Sequence, residues 1–239
     1  MDTLWLHIVQ WLHTVGLHID GGTARAVGDA AANATAQLDM PSLLALAAAL
    51  GWASGFRLYA VVFLVGMMGV LGWMPLPPGL AMLQHPVVLM VSGFMLLVEF
   101  FADKVPWLDS AWDAVHAFIR VPAGAALAFG VFGADNATMA IAAGLLGGSL
   151  SATALATKMT ARAAANTSPE PFSNWGLSFL EDGLVAGLVW LALQHPVWFG
   201  VALVLVLAVS VLLLVVLFKF LRAVSRRVFF FLSEPAKVV

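Results

Sequence analysis

The chain has 239 residues, of which 62% are hydrophobic and 10% charged, with 11 basic and 13 acidic residues and a formal net charge of −2. Soluble domains carry about 25% charge and about 45–50% apolar residues, so this chain can neither surround a soluble core nor stay disordered. The near-neutral balance argues against a nucleic-acid partner, and the absence of cysteine excludes disulfides, thiolate metal sites and a cysteine nucleophile. What remains is an all-α polytopic membrane protein, in keeping with a mean hydropathy of +0.97.

In chain order, the first element is an amphipathic helix over 4–20. Leu4, Trp5, Ile8, Leu12, Val15 and Ile19 form its apolar stripe, and His7, Gln10, Thr14 and His18 lie opposite. It lacks the basic start of a secretory signal and reads as a helix lying on the inner membrane surface, a seventh span being the alternative. Residues 21–41 read as a linker rich in Gly, Ala, Asn and Asp, which closes an N-terminal segment 1–41.

A transmembrane domain over 42–224 follows, then a tail over 225–239. Crossing the hydrocarbon core takes about 17–25 apolar residues in a helix. Six runs approach this: 43–73, interrupted by Gly51, Ser54, Gly55 and Arg57; 86–105; 121–133, which is short; 139–160, broken at Gly147, Gly148 and Ser149; 172–194; and 197–221. Between the second and third runs, 107–120 carries Leu108, Trp112, Val115 and Ile119 on one stripe. Asp109, Asp113, His116 and Arg120 lie on the other, at i, i+4, i+7 and i+11. That pattern predicts an interfacial helix with a solvated polar face.

Lysine and arginine placement orients the spans. The loops at 74–85, 134–138 and 195–196 contain neither residue, whereas every basic residue except Arg57 falls on the opposite side. Six spans with both termini cytoplasmic in a bacterial inner membrane satisfy this. Six spans divide as two inverted three-helix repeats, 42–133 and 138–224, each opening on a helix broken by small residues. The alternative is that the small residues only allow close helix packing. The tetrapeptide Gln-His-Pro-Val begins at Gln84 and again at Gln194, and each copy reads as the start of a helix.

Ionisable side chains at membrane depth cost about 2.5–3.5 kcal/mol each on insertion scales and so need a partner or a task. Arg57, Glu99, Glu181 and Asp182 lie within the apolar runs. Ser92, Glu99 and Asp103 share one helical stripe, and Asn174, Ser178 and Glu181 share another. With Ser54 and Ser149 at the helix breaks, the candidate substrate- or ion-binding set is Ser54, Arg57, Glu99, Asp103, Ser149, Asn174, Glu181 and Asp182. Arg57, Glu99, Glu181 and Asp182 sum to −2, so the surplus calls for protons, a metal cation or a cationic substrate. Glu99, Glu181 and Asp182 would be the oxygen ligands of a hard cation. A structural network with protonated carboxyls is the competing reading. No H-E-x-x-H, Gly-rich phosphate loop or G-x-S-x-G pattern is present, which points away from an enzyme and requires no cofactor.

Three blocks together resemble a bacterial integral-membrane family catalogued as a domain of unknown function: G-W-A-S-G-F-R over 51–57, E-F-F-A-D-K-V-P-W-L-D-S-A-W-D-A-V-H-A-F-I-R-V-P-A-G over 99–124, and N-T-S-P-E-P-F-S-N over 166–174 with Glu181 and Asp182. The likeness covers about 43–195 and implies no activity. The E-F-F-A-D-K run at 99–104 also resembles, by analogy, the E-x-G-D-[KR]-[TS] motif of three-plus-three cation/proton exchangers. Here the spacing is one longer, the glycine is missing, and the second half has Glu181-Asp182-Gly183 without a basic residue. The expected function is a cation- or proton-coupled transporter with alternating access between the repeats. The alternatives are a lipid-interacting or assembly factor and a membrane-embedded lipid enzyme. Its partners would be the bilayer and a small cation or proton, and the composition is compatible with a homo-oligomer.

Overall fold

The computed structural model describes residues 39–105, 107–133, 136–167 and 172–233. The expected surface helix over 4–20 lies outside them. The described residues form α1 (Met40–Val70), a short 3-10 helix (Pro78–Gln84), α2 (Pro86–Ala102), α3 (Leu108–Phe132), α4 (Ala137–Ala165), α5 (Phe172–Gln194) and α6 (Pro196–Ser233). Five of these helices are long and apolar enough to cross a membrane, or six if the 3-10 helix and α2, bent by 68° at their junction, count as one span. The protein is therefore a multi-pass helical membrane protein.

Local chemistry sets the helix starts. Asp39 caps α1 by accepting from the Ser42 N–H at 3.1 Å, and Asn136 caps α4 by accepting from the Met139 N–H at 3.2 Å. Pro86 and Pro196 open α2 and α6, so both copies of the repeated tetrapeptide are helix starts.

The first helix departs from the expected single crossing. Arg57 has φ −143° and ψ 70°, which interrupts the helical backbone, and the contacts on either side show that the chain doubles back there. Before the break, Gly51 lies against Gly147, Gly55 against Ser151, and the Phe56 carbonyl against Lys158, so this limb runs parallel to α4. After it, Tyr59 meets His116 of α3, Val62 shares a groove with Ala123 and Leu127, and Gly66 meets Leu83. Gly51 and Val62 thus lie at the same level on opposite limbs. Ser42 and Leu46 line one cavity with Met68, Met74 and Gln194. In a straight helix Ser42 and Met68 would be about 39 Å apart at 1.5 Å per residue.

The limbs 40–56 and 58–70 are about 25 Å and 20 Å long, less than the hydrocarbon thickness of about 30 Å. Non-helical backbone at such depth survives only where protein covers it, and Arg57 is fully buried. The start of α1 accordingly sits at the same end of the bundle as Gln84, Gly133 and Gln194, not at the end expected for a cytoplasmic approach to the first span.

Two further expectations are corrected. The stretch 107–120 is not a separate interfacial helix: it is the first half of α3, which runs through Pro122 to Phe132 without a break. Gly147, Gly148 and Ser149 do not break α4. The last apolar span, Pro196–Ala223, lies close to the expected 197–221, and α6 continues past it as a helix to Ser233. The small residues instead bring helices together. A Cβ on Gly51 would press on the Gly147 Cα, one on Gly124 would lie 2.7 Å from the Ser151 Cβ, and one on Gly147 would press on the Ala128 Cβ. Gly51/Gly55, Gly147/Ser151 and Gly124/Ala128 are each four apart, so each helix presents one small-residue stripe and α1, α3 and α4 meet backbone to backbone. This close trio is the core. α6 lies at its edge, with Val204, Leu205, Leu212 and Val216 exposed where lipid would lie.

Candidate functional site

The tip of the α1 hairpin meets the polar faces of α2, α3, α4 and α5 in one buried ion network. Arg57 Nη1 lies 2.6 Å from Asp103 Oδ2, its Nε 3.0 Å from Asp182 Oδ1 and 3.8 Å from Glu181 Oε2, and its Nη2 donates to Ser178 Oγ at 2.8 Å. Arg120 bridges α2 and α3, with Nη2 2.5 Å from Glu99 Oε1 and Nη1 2.7 Å from Asp113 Oδ1. Arg162 grips both oxygens of Glu181, at 3.2 and 3.0 Å, and donates to the backbone carbonyls of Asp103 and Asn174 at 2.7 and 3.2 Å. That fork suits a carboxylate better than a point charge would.

Lys158 is the hub. Its Nζ lies 3.0 Å from Asp113, 3.2 Å from Asp103, 3.7 Å from Glu181 and 3.9 Å from Glu99, and it donates to the Phe56 carbonyl at 3.3 Å. At the edge, Asn166 donates to Asp109 Oδ1 at 2.9 Å and accepts from Asn174 at 2.7 Å. Arg57, Glu99, Asp103, Asp109, Asp113, Arg120, Lys158 and Arg162 are all fully buried, while Asp182 is 34% exposed by side chain and forms the open edge.

Four cations therefore face six carboxylates, a formal excess of two negative charges with His116 neutral. Glu99 Oε2, Asp109 Oδ2 and Asp113 Oδ2 are buried without a hydrogen-bond partner. These are the atoms on which added protons would find room, since a bare carboxylate oxygen in low dielectric is costly. Among the described residues no group of three or more His, Asp or Glu side chains is arranged to hold a metal ion. The candidate ligands are drawn apart: Glu99 turns to Arg120, Glu181 to Arg162 and Asp182 to Arg57.

Of the residues singled out in the sequence, Arg57, Glu99, Asp103, Asn174, Glu181 and Asp182 come together here. Ser54 and Ser149 do not: each hydroxyl donates to its own helix, Ser54 to Leu50 O and Ser149 to Leu145 O, and Ser149 faces outward. The face of Asp109, Asp113, His116 and Arg120, expected to be solvated, is instead buried against α1, α2 and α4. An amphipathic stripe reads the same whether its polar side meets water or other charges. His116 Nδ1 donates to the Trp112 carbonyl at 2.8 Å, and its ring stacks on Trp112 at 4.0 Å. Lys158 and Arg162 were not among the expected site residues. Their signal was spacing: Ser151, Lys158 and Arg162 repeat the i, i+7, i+11 stripe of Ser92, Glu99 and Asp103. Ser151 belongs to the same face, donating to Arg120 O at 3.0 Å.

A multi-pass helical membrane protein with a helical hairpin tipped into a buried ion network is the class that fold and site define. Residues 44–216 match the DUF4126 family, a domain of unknown function, and the chain belongs to that family. No curated protein and no solved structure is matched.

Proposed function

We propose that the protein is a proton-coupled membrane transporter whose coupling site is the network around Lys158. One observation carries this reading: the buried network holds two more carboxylates than cations, with unbonded oxygens on Glu99, Asp109 and Asp113. Burial disfavours that excess charge, so the network has the composition of a proton acceptor. A short hairpin ending in non-helical backbone is also the kind of element that lines transport sites at membrane depth. The geometry favours a proton over a metal cation because each candidate ligand is committed to a different base.

In this reading the inverted halves are 58–133 and 138–224. The returning limb of α1, α2 and α3 run in the opposite sense to α4, α5 and α6, and the limb 40–56 is an addition packed against α4. The basic end of the bundle faces the cytoplasm of a bacterial inner membrane. The protein moves its substrate without converting it chemically.

The test is a proteoliposome flux screen over H⁺, Na⁺, K⁺ and divalent cations, with pH-gradient dissipation as the first readout. Glu99→Gln, Glu181→Gln and Asp113→Asn keep size and hydrogen bonding and should each abolish proton-coupled flux in protein that still inserts. Full flux in all three would refute the reading.

A further inference from the structure

Beside the network, α1, α4, α5 and α6 enclose a cavity of about 270 Å³. Its rim carries Leu180, Leu205 and Val209, all exposed on the surface that would face lipid. Behind this rim the lining includes four buried residues that carry polar atoms, Trp52, Lys158, Glu181 and Ser210. Trp52 is 1% exposed, and its Nε1–H has no hydrogen-bond partner. A buried indole N–H ordinarily finds an acceptor, and this one, on a residue that lines the cavity, has a donor to offer. Ser210 is the one hydroxyl-bearing or charged side chain over 196–218 of α6, and it is turned into this cavity rather than towards lipid.

We infer that this cavity binds a single-chain amphiphile with an uncharged, hydrogen-bond-accepting head, admitted sideways from the bilayer between α5 and α6. The tail follows from the walls, which are almost wholly apolar behind an exposed rim. The single chain follows from size: the volume falls just below the ~300–1,000 Å³ of ordinary small-molecule sites, too little for a two-chain lipid. The head follows from charge. An anion would add to a network already in negative excess. A cation would find Glu181 held by Arg162 on both oxygens. A hydroxyl or carbonyl head meets neither obstacle and gives Trp52 its acceptor, with the Ser210 hydroxyl alongside. This site adds to the transport reading and does not rest on it, because binding is measured without flux.

The experiment uses the purified full chain in lipid nanodiscs with a long-chain fatty alcohol carrying a photoreactive diazirine in its tail. Unlabelled fatty alcohol, the fatty acid and the alkyltrimethylammonium of equal length serve as competitors. Saturable labelling within 177–184 and 205–213, competed by the alcohol and not by the two ions, is expected. Trp52→Phe keeps an aromatic side chain, smaller than the indole, and removes the donor, and should weaken binding about fivefold, the worth of one hydrogen bond. Ser210→Leu and Val206→Phe both fill the cavity and should abolish labelling, and a melting curve identifies which of them remains folded. Labelling that does not saturate, that falls equally on Met90, Phe94 and Leu97 of α2, that all three competitors suppress alike, or that survives filling of the cavity would overturn the inference.

Discussion

Arg57 is the residue on which the hairpin tip depends, and its removal can be ranked from distances. Arg57→Met keeps most of the side-chain volume and deletes the charge. It leaves Asp103, fully buried, without its 2.6 Å partner, and raises the excess of carboxylates by one. Breaking a buried pair by removing one partner costs about 3–5 kcal/mol. The lower end applies here, because Lys158 and Arg162 still stand 3.2 and 3.6 Å from Asp103. Arg57→Lys should not rescue, since one ammonium cannot reach Asp103, Asp182 and Ser178 together as the guanidinium fork does. In a double-mutant cycle with Asp103→Asn the coupling should be about 2 kcal/mol, within the range found for residues in contact. With Asp182→Asn it should be below about 1 kcal/mol, because that side chain is 34% exposed. Reversible unfolding in mixed micelles, followed by tryptophan fluorescence, measures all of these. Coupling to Asp103 below about 0.5 kcal/mol, or smaller than coupling to Asp182, would refute the assignment of Asp103 as the main partner of Arg57.

Gly51→Ala presses a Cβ onto the Gly147 backbone and should cost about 1–3 kcal/mol in the same unfolding assay. Gly187→Ala, with nothing within 4 Å, should be neutral or stabilising by up to about 1 kcal/mol, and equal effects at the two sites would contradict the close approach of α1 and α4. The hairpin is tested by thiol labelling, since the chain has no cysteine of its own. Single cysteines at Asp39, Met82 and His195 should react from one face of the membrane and one at Thr167 from the other; Asp39 reacting with Thr167's face would mean that α1 crosses once. Asp113→Asn should lose proton-coupled flux as fully as Glu99→Gln, because both carboxylates share Arg120. An active Asp113→Asn beside an inactive Glu99→Gln would confine the coupling site to α2.

Sequence alone determined the solvent, the class and most of the element positions. Charge at 10% with long apolar runs leaves only a membrane fold, and Pro86 and Pro196 mark their helix starts by the chemistry of the ring. It also determined that Arg57, Glu99 and Glu181 could not stand alone, because the cost of an isolated charge at depth is independent of the fold. Tertiary structure decided what the polar stripes face. Asp109, Asp113, His116 and Arg120 have the spacing of a solvated helix face, and only the arrival of Lys158, Glu99 and the hairpin tip turns that face into an interior. Likewise, Gly51 and Gly147 read equally as helix breaks or as contacts. The choice fell to contact because Gly51 faces the Gly147 backbone and Gly147 faces Ala128 and Gly124 of α3, while the break came at Arg57, where the charge of Asp103 draws the side chain and the covering protein removes the need for lipid-facing hydrogen bonds. Periodicity reports which residues share a face and carries no term for what lies across from it; that term is set by long-range packing, which brings α1, α3 and α4 together.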